Sequence, residues 1–393
     1  MTLDWTERPD SLRSWLVAIL GAVAMVFTFG TPLSYGVFRG PFSDAFAVSP
    51  VALSGVFSIM LFTFFIGSGL VGVFGTRYPT RPLLLVCTAA TVLLAPSLYV
   101  ADSLLWLTLV FAVLGLALGT VFVLVASVVP RWFDSRRGAA TGLIFVGNGL
   151  GLFLLPPIWQ LAIDRFGVRL GFLLVLSVTA GAFALTGLTC RRPSWASQST
   201  ATAGDVLEWL SRLVGTRQFQ LLFVGIGFSF AWYQLLAAYA VDLFVARGLS
   251  EATAAATFGA IGGVSIASRI GSGYVADSVG SRRAFLASLY LAAGGIALLF
   301  VSNPGGLVAA VGLIGLGLGG AATLYIPVLM GIYDPEKDTA IVGMFNVAAG
   351  VCALAMPPLG TASITYTGGY TVAVGLTFVV SVIAVWAVTR ATR

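Results

Sequence analysis

The chain has 393 residues, 58% of them apolar and only 9% charged, against roughly 25% charged residues in soluble domains. With 47 glycines, no histidine and a mean hydropathy of +0.99, this composition excludes a water-soluble fold of this size and fits helices packed on small residues in hydrocarbon. The net charge of +6 therefore has to be read from where the few charges lie.

In chain order, twelve mainly apolar stretches long enough to cross a bilayer run over residues 14–38, 51–73, 82–100, 104–130, 138–160, 168–190, 218–241, 252–275, 284–302, 305–330, 339–361 and 370–389. They predict an all-α integral membrane protein with twelve transmembrane helices. With the N-terminus in the cytoplasm, sixteen Lys and Arg fall in cytoplasmic segments, against Arg39, Arg165, Arg169 and Arg247 on the opposite face. The positive-inside rule thus predicts a multi-pass protein of the cell membrane with both termini cytoplasmic. Topology accounts for the basic balance and no nucleic-acid partner is implied. The first span follows Arg8 and Arg13 and is too long for a signal-peptide core, so it reads as a retained helix. Cys87, Cys190 and Cys352 sit in or at the ends of apolar spans without metal-ligand spacing. Neither a disulfide framework, a metal site nor a cofactor is indicated.

Sliding the chain on itself by 201 residues brings Phe29 onto Phe230, Phe57 onto Phe258, Gly72 onto Gly273, Arg81 onto Arg282, Gly119 onto Gly320, Pro156 and Pro157 onto Pro357 and Pro358, and Gly167 onto Gly368. A constant offset of this kind marks an internal transporter-type repeat. The predicted organisation is a six-helix half over 1–190, a cytoplasmic linker over 191–217 and a second six-helix half over 218–393, pseudo-symmetric with the first. Within the linker, Val206, Leu207, Trp209, Leu210, Leu213 and Val214 recur at helical spacing opposite Glu208 and Arg212, which suggests a short interfacial helix.

Arg269 is the only charge well inside a span, about 12 Å from Asp277 and about 27 Å from Glu251 along a helix. An arginine at membrane depth costs about 2.5–3.5 kcal/mol on insertion scales, so it faces a cavity or a partner. Its repeat mate is Ser68, so the charge breaks the pseudo-symmetry. With no other intramembrane acid, base or histidine, an embedded acid/base or metal enzyme lacks its groups, and an exporter of cations lacks its counter-charge. A permanent guanidinium that grips a carboxylate with two parallel hydrogen bonds points to a single negative charge. Candidates to complete such a site are Tyr35 and Ser34 on the first span, Asn148 on the fifth, Tyr233 and Gln234 on the seventh, Tyr325 on the tenth and Asn346 on the eleventh. For each, interfacial anchoring or helix–helix hydrogen bonding is the competing role.

Three motifs carry a family resemblance. Gly273, Asp277, Gly280, Arg282 and Arg283 resemble the Gly-x3-Asp-x2-Gly-x-Arg-Arg loop of the major facilitator superfamily, whose copy at Gly72 to Arg81 is degenerate, with Thr76 in place of Asp. The run from Arg131 through Trp132, Phe133, Arg136, Arg137 and Gly138 to Gly142 resembles the Trp-Phe-x2-Arg-Arg-Gly-x-Ala-x-Gly signature of monocarboxylate transporters. Around Arg269, Arg-x3-Gly-x2-Ala-Asp is similar to the same family's eighth-helix motif, and the resemblance implies that Arg269 binds the substrate carboxylate and Asp277 latches the cytoplasmic gate. The lysine and aspartate tied to proton coupling in that family are Leu33 and Ser265 here, and the second basic residue of the related oxalate:formate antiporters is absent from the eleventh helix.

The expected protein is a major facilitator fold that carries a small lactate- or pyruvate-like monocarboxylate by alternating access, as a monomer among membrane lipids. Proton symport, uniport and exchange stay open at this point. An exchanger of dicarboxylates or inorganic anions is the rival transporter, and a non-transporting anion sensor is the rival of another class.

Overall fold

The computed structural model describes residues 8–74, 79–101, 103–193, 195, 203–301, 303–333 and 338–392. Thr76, Arg77, Lys337 and Arg393 of the sequence argument lie outside them, as does the side chain of Arg137. Among the described residues there are fourteen α-helices and no strand. They are α1 (Leu12–Leu33), α2 (Tyr35–Phe46), α3 (Pro50–Phe74), α4 (Thr80–Leu94), α5 (Leu104–Val128), α6 (Arg137–Thr189), α7 (Ala203–Val214), α8 (Arg217–Ala237), α9 (Ala240–Ala246), α10 (Glu251–Val279), α11 (Ser281–Leu298), α12 (Pro304–Met330), α13 (Asp338–Thr367) and α14 (Thr371–Ala391).

Every predicted span falls on helix, but the breaks are finer than hydropathy shows. Pro32 lacks the N–H that would continue α1, and the helix stops at Ser34 before α2 resumes. Gly167 has φ 75° inside α6, so one 53-residue element supplies the fifth and sixth spans. Its repeat mate Gly368, with φ 68°, separates α13 from α14. Only a residue without Cβ adopts such angles cheaply. Helix ends depart from the predicted ones in both directions: α13 reaches Thr367 where 361 was expected, whereas α4 stops at Leu94 and α11 at Leu298, short of 100 and 302. Hydropathy marks the part in lipid, whereas backbone hydrogen bonding sets where a helix ends. Nine described helices are long and apolar enough to cross a membrane, counting α6 once. Absent from that set are α10, rich in Gly, Ala and Ser around Arg269, and α11, which opens on Arg282 and Arg283.

Small residues set the helix contacts. A Cβ on Gly115 or Gly119 of α5 would lie 2.1 and 1.9 Å from the carbonyl oxygens of Met60 and Phe64 on α3. On α12, Gly315 and Gly319 stand in the same way 2.8 and 2.2 Å from those of Ile261 and Ser265 on α10. The equivalence therefore runs with a shift of 200 on one helix and 201 on its neighbour. Gly119 corresponds in space to Gly319, not to the Gly320 that an ungapped 201-residue offset pairs with it. The seam between α1 and α6 repeats with the glycine exchanged across it: Gly151 faces Val26, and Gly227 on α8 faces Cys352 on α13.

The linker carries a helix, α7, whose Leu210 is buried against a cluster that includes Phe219 and Leu222, with Glu208 and Arg212 paired on its exposed side. At the face where the chain begins, the signature loop after α5 is a packing element. Trp132 and Phe133 are fully buried, Arg13 lies over the Trp132 ring, and the Trp132 indole donates to the Arg191 carbonyl at 2.8 Å. The Asp10 carboxylate accepts from the backbone N–H groups of Ser135 (3.1 Å) and Arg136 (3.3 Å) and from the Ser135 hydroxyl (2.9 Å).

Candidate functional site

The middle of the molecule holds a small cavity to which eight helices contribute. Its lining is Phe29 of α1, Phe64 and Phe65 of α3, Phe122 of α5, Phe145 and Asn148 of α6, Phe230 of α8, Arg269 of α10, Ala322 and Tyr325 of α12, and Asn346 of α13. Four of the residues singled out in the sequence, Arg269, Asn148, Tyr325 and Asn346, thus meet in one place from four different helices.

Arg269 is 6% exposed. No carboxylate pairs with it among the described residues, and its Nε and Nη2 atoms have no hydrogen-bond acceptor. These two nitrogens form one edge of the guanidinium, with their N–H bonds parallel. That edge matches the two oxygens of a carboxylate. Leaving charged donors buried and unmatched is costly, so the arrangement is suited to an anion that arrives and leaves. The Asn148 side-chain oxygen is also buried without a partner. Tyr325 donates to the Asn346 oxygen at 3.4 Å, a long bond that readily gives way to a better acceptor.

The other walls are aromatic. Phe29, Phe64 and Phe122 lie within 5.6–6.3 Å of one another between ring centroids. Phe65 meets Phe230 edge-on at 5.9 Å, and Phe230 meets Tyr325 edge-on at 5.3 Å. The arrangement leaves a cavity of only about 20 Å³, room for about one water molecule. In this conformation the guanidinium is sealed among phenyl rings.

The remaining candidates are not part of that lining. Tyr35 is stacked on Phe57 with centroids 4.2 Å apart, and Tyr233 on Phe258 at 5.9 Å. Both hydroxyls are buried without a partner, and that of Tyr233 is within electrostatic reach of Arg269. Gln234 donates to the Ala349 carbonyl at 3.1 Å and braces α8 on α13. Ser34 donates to Gly30 at 2.7 Å within its own turn. In the motif loops, Gly280 with φ 87° makes the turn from α10 to α11 that its type allows. Gly273 lies on the last turns of α10. Asp277 is exposed and makes no ion pair among the described residues. The Arg282 Nε donates to the Thr392 hydroxyl at 2.7 Å, which fastens α11 to the end of α14. Arg283 and Arg136 are exposed, and the Arg131 carbonyl accepts from Trp195.

Six phenylalanines of the lining were not singled out from sequence, because an apolar residue in an apolar span carries no contrast. A signal was nonetheless present: Phe29 and Phe230 are repeat mates, and both reach the cavity.

A family model described as the Major Facilitator Superfamily matches residues 15–301. The chain is 25% identical over 377 residues to monocarboxylate transporter 13 of Bos taurus, covering 93% of this chain and 86% of that protein. It is 24% identical over 402 residues to monocarboxylate transporter 2 of Homo sapiens, covering 92% and 82%. A shorter match to monocarboxylate transporter 9 of Mus musculus, 27% identical, covers 48% of this chain and spans only 36% of that protein. Among solved structures, a point mutant of the nucleoside transporter NupG superimposes with a TM-score of 0.75 at 12% identity, covering 97% of this chain and all of the other. A bacterial homologue of the human lysosomal transporter Spinster, inward-facing and unoccupied, gives 0.70 at 14% identity over 97% of each. These two likenesses concern the fold. The chain belongs to the Major Facilitator Superfamily, as a multi-pass helical membrane transporter whose relatives include monocarboxylate transporters and whose work is carriage, not catalysis.

Proposed function

We propose that this protein carries a small organic monocarboxylate, lactate- or pyruvate-like, across the cell membrane by alternating access. In this reading Arg269 grips the carboxylate through its Nε and Nη2 edge, while Asn148, Tyr325 and Asn346 receive the substrate's remaining polar atoms. The phenylalanine walls accept a short apolar body and exclude a second charge. One observation carries the proposal: a buried guanidinium whose carboxylate-binding edge has no acceptor, at the meeting point of eight helices. Arg269 is the one charged residue of the cavity lining, which favours a monoanion over oxalate. Names of relatives such as monocarboxylate transporter 13 agree with this substrate class.

The same proposal has the halves 1–190 and 218–393 rocking about the cavity, with both termini and the arginine-rich loops on the cytoplasmic side and Asp277 and Arg282 governing closure there. An empty site holds an uncompensated positive charge. Binding neutralises it and lets the occupied carrier close and reopen. Uptake of labelled lactate, pyruvate, oxalate and nitrate into proteoliposomes, with and without a pH gradient, tests it. Saturable lactate or pyruvate uptake that oxalate and nitrate do not compete supports the reading. Transport of oxalate or nitrate alone overturns it.

A further inference from the structure

The face opposite the N-terminus is closed by contacts that the site does not use. On α2, Arg39 forms an ion pair with Asp242 of α9, and its Nη1 also donates to the Ala238 carbonyl at 3.3 Å. A turn earlier, a Cβ on Gly36 would lie 2.8 Å from the Ala237 carbonyl, so the two backbones touch. A second bridge crosses close by: Gln160 of α6 donates to Asp164 at 2.8 Å and, more weakly, to Glu251 of α10 at 3.4 Å. Both links join an element of the first six spans to one of the last six. Arg39 and Asp242 are 13% and 30% exposed at their side chains, so the pair is partly shielded yet within reach of the medium.

The balance of charge at this closure is uneven. Around Asp242 the surrounding elements present Arg39 and Tyr35 from α2, Glu251 from α10, Arg247 from α9 itself and Tyr370 ahead of α14. Asp164 joins through Gln160. Arg247 is turned away to the Leu299 carbonyl, so Arg39 is the cation paired with Asp242, while Glu251 adds a second carboxylate near it. Glu251 is within electrostatic reach of Asp242. A proton on the Asp242 carboxylate relieves that like-charge repulsion and at the same stroke removes the attraction that holds Arg39.

We infer that the Arg39–Asp242 pair is the latch on this face of the transporter and that a proton taken from the adjoining medium onto Asp242 opens it. The proton adds to a carboxylate oxygen, the ion pair separates, and Arg39 swings to water or to Glu251. Deprotonation into the same medium restores the latch. Acid on this side thereby admits substrate to Arg269, and pH dependence arises without a titratable group beside the substrate. The inference rests on the alternating-access part of the function proposed above and not on the identity of the substrate.

The test reads the latch directly. Spin labels on Gly40→Cys in the middle of α2 and Ala246→Cys at the end of α9, both exposed, with Cys87, Cys190 and Cys352 replaced by alanine, report the distance across the gap in proteoliposomes without substrate. The expected result is a short distance at neutral pH that gives way to a longer one on acidification. In Asp242→Asn and in Arg39→Gln the ratio of long to short populations at neutral pH should rise at least tenfold and lose its pH dependence. The exchanged pair, Arg39→Asp with Asp242→Arg, should recover the short distance and its acid response. A short distance in both single variants, with the wild-type response to pH, overturns the inference. So does an exchanged pair that folds and stays open. Because no substrate is present, these outcomes do not depend on whether lactate or another anion is carried.

Discussion

Replacing Arg269 separates a ligand anchor from a structural brace, because the two roles predict opposite changes in the empty protein. The guanidinium is buried with its Nε and Nη2 edge unmatched, so Arg269→Ala removes an uncompensated charge whose insertion costs about 2.5–3.5 kcal/mol. The unliganded variant should therefore melt no lower than wild type in detergent. With ligand the order reverses. Losing one partner of a hydrogen-bonded charge pair costs about 2–5 kcal/mol, roughly a 30- to 4,000-fold rise in Kd. At a lactate concentration of 100 times the wild-type Kd, stabilisation of about 2.7 kcal/mol should fall to about 0.9 kcal/mol or less. Arg269→Lys keeps the charge but not the fork. The loss of one charged hydrogen bond, about 1.5–3 kcal/mol, weakens binding roughly 10- to 100-fold. Melting curves with and without lactate, paired with counterflow in proteoliposomes, give both readings on one preparation. An Arg269→Ala protein that melts lower when empty, yet is still stabilised by lactate as wild type is, would refute the anchor assignment.

The aromatic lining makes a size prediction: Phe145→Ala should favour a benzoate-sized acid over lactate by about tenfold, since burying added apolar surface is worth about 1.5 kcal/mol or more, and competition for labelled lactate uptake measures it. The glycine seams make a stability prediction, because a Cβ at position 119 or 319 would press on the carbonyls of Phe64 and Ser265. Gly119→Ala and Gly319→Ala should each destabilise by about 1–3 kcal/mol, whereas Gly40→Ala, with nothing within 4 Å of its Cβ, should not, as thermal unfolding will show. At the N-terminal clamp, the Ser135 N–H, with the other donors around it, holds the Asp10 carboxyl below its usual 3.8. A lowered folded value means that the clamp is intact above pH 3.8 and loosens as the pH falls through it. The protection factors of the Ser135 and Arg136 amides, which allow for the intrinsic pH dependence of exchange, should accordingly fall in Asp10→Asn at neutral pH, and in wild type only in acid.

The sequence made the large features legible where charge and apolar content contrast. Twelve spans, the linker helix and Arg269 all stood out because an uncharged run or a lone charge is visible one residue at a time. Asn148, Tyr325 and Asn346 were legible for the same reason, as polar groups in apolar surroundings. Tyr35, Tyr233 and Gln234 looked identical by that criterion, yet they stack on rings or brace a neighbouring helix. Which way a side chain points depends on the rotation of its helix, and in a span that is apolar all round no periodicity reveals it. The phenylalanine walls were hidden for the converse reason, having no contrast at all. Arg39 and Asp242 were visible separately, but they are 203 residues apart and each sits at a span end, where charges ordinarily record topology.

The glycine seams explain why one arginine can differ so sharply from its counterpart. Gly115 and Gly119 draw α5 against α3, and Gly315 and Gly319 draw α12 against α10 with the same spacing, so the two helix pairs are built alike. In the first pair Ser68 donates to the Phe64 and Gly119 carbonyls, at 3.1 and 3.0 Å, and is spent on the seam. In the second pair the corresponding residue is Arg269, too long for that seam, and its head group lies among the rings of the cavity. Repetition of backbone contacts thus fixes two equivalent frames, and a single departure in side-chain length and charge puts a buried, unmatched guanidinium into one of them. On this argument Ser68→Arg with Arg269→Ser should not transfer the site intact. The Gly119 contact leaves no room for a long side chain at position 68, and the Asn148, Tyr325 and Asn346 constellation does not move with the charge. Lactate uptake restored to wild-type rate by that exchange would show that the charge alone defines the site and that the frames carry no further information.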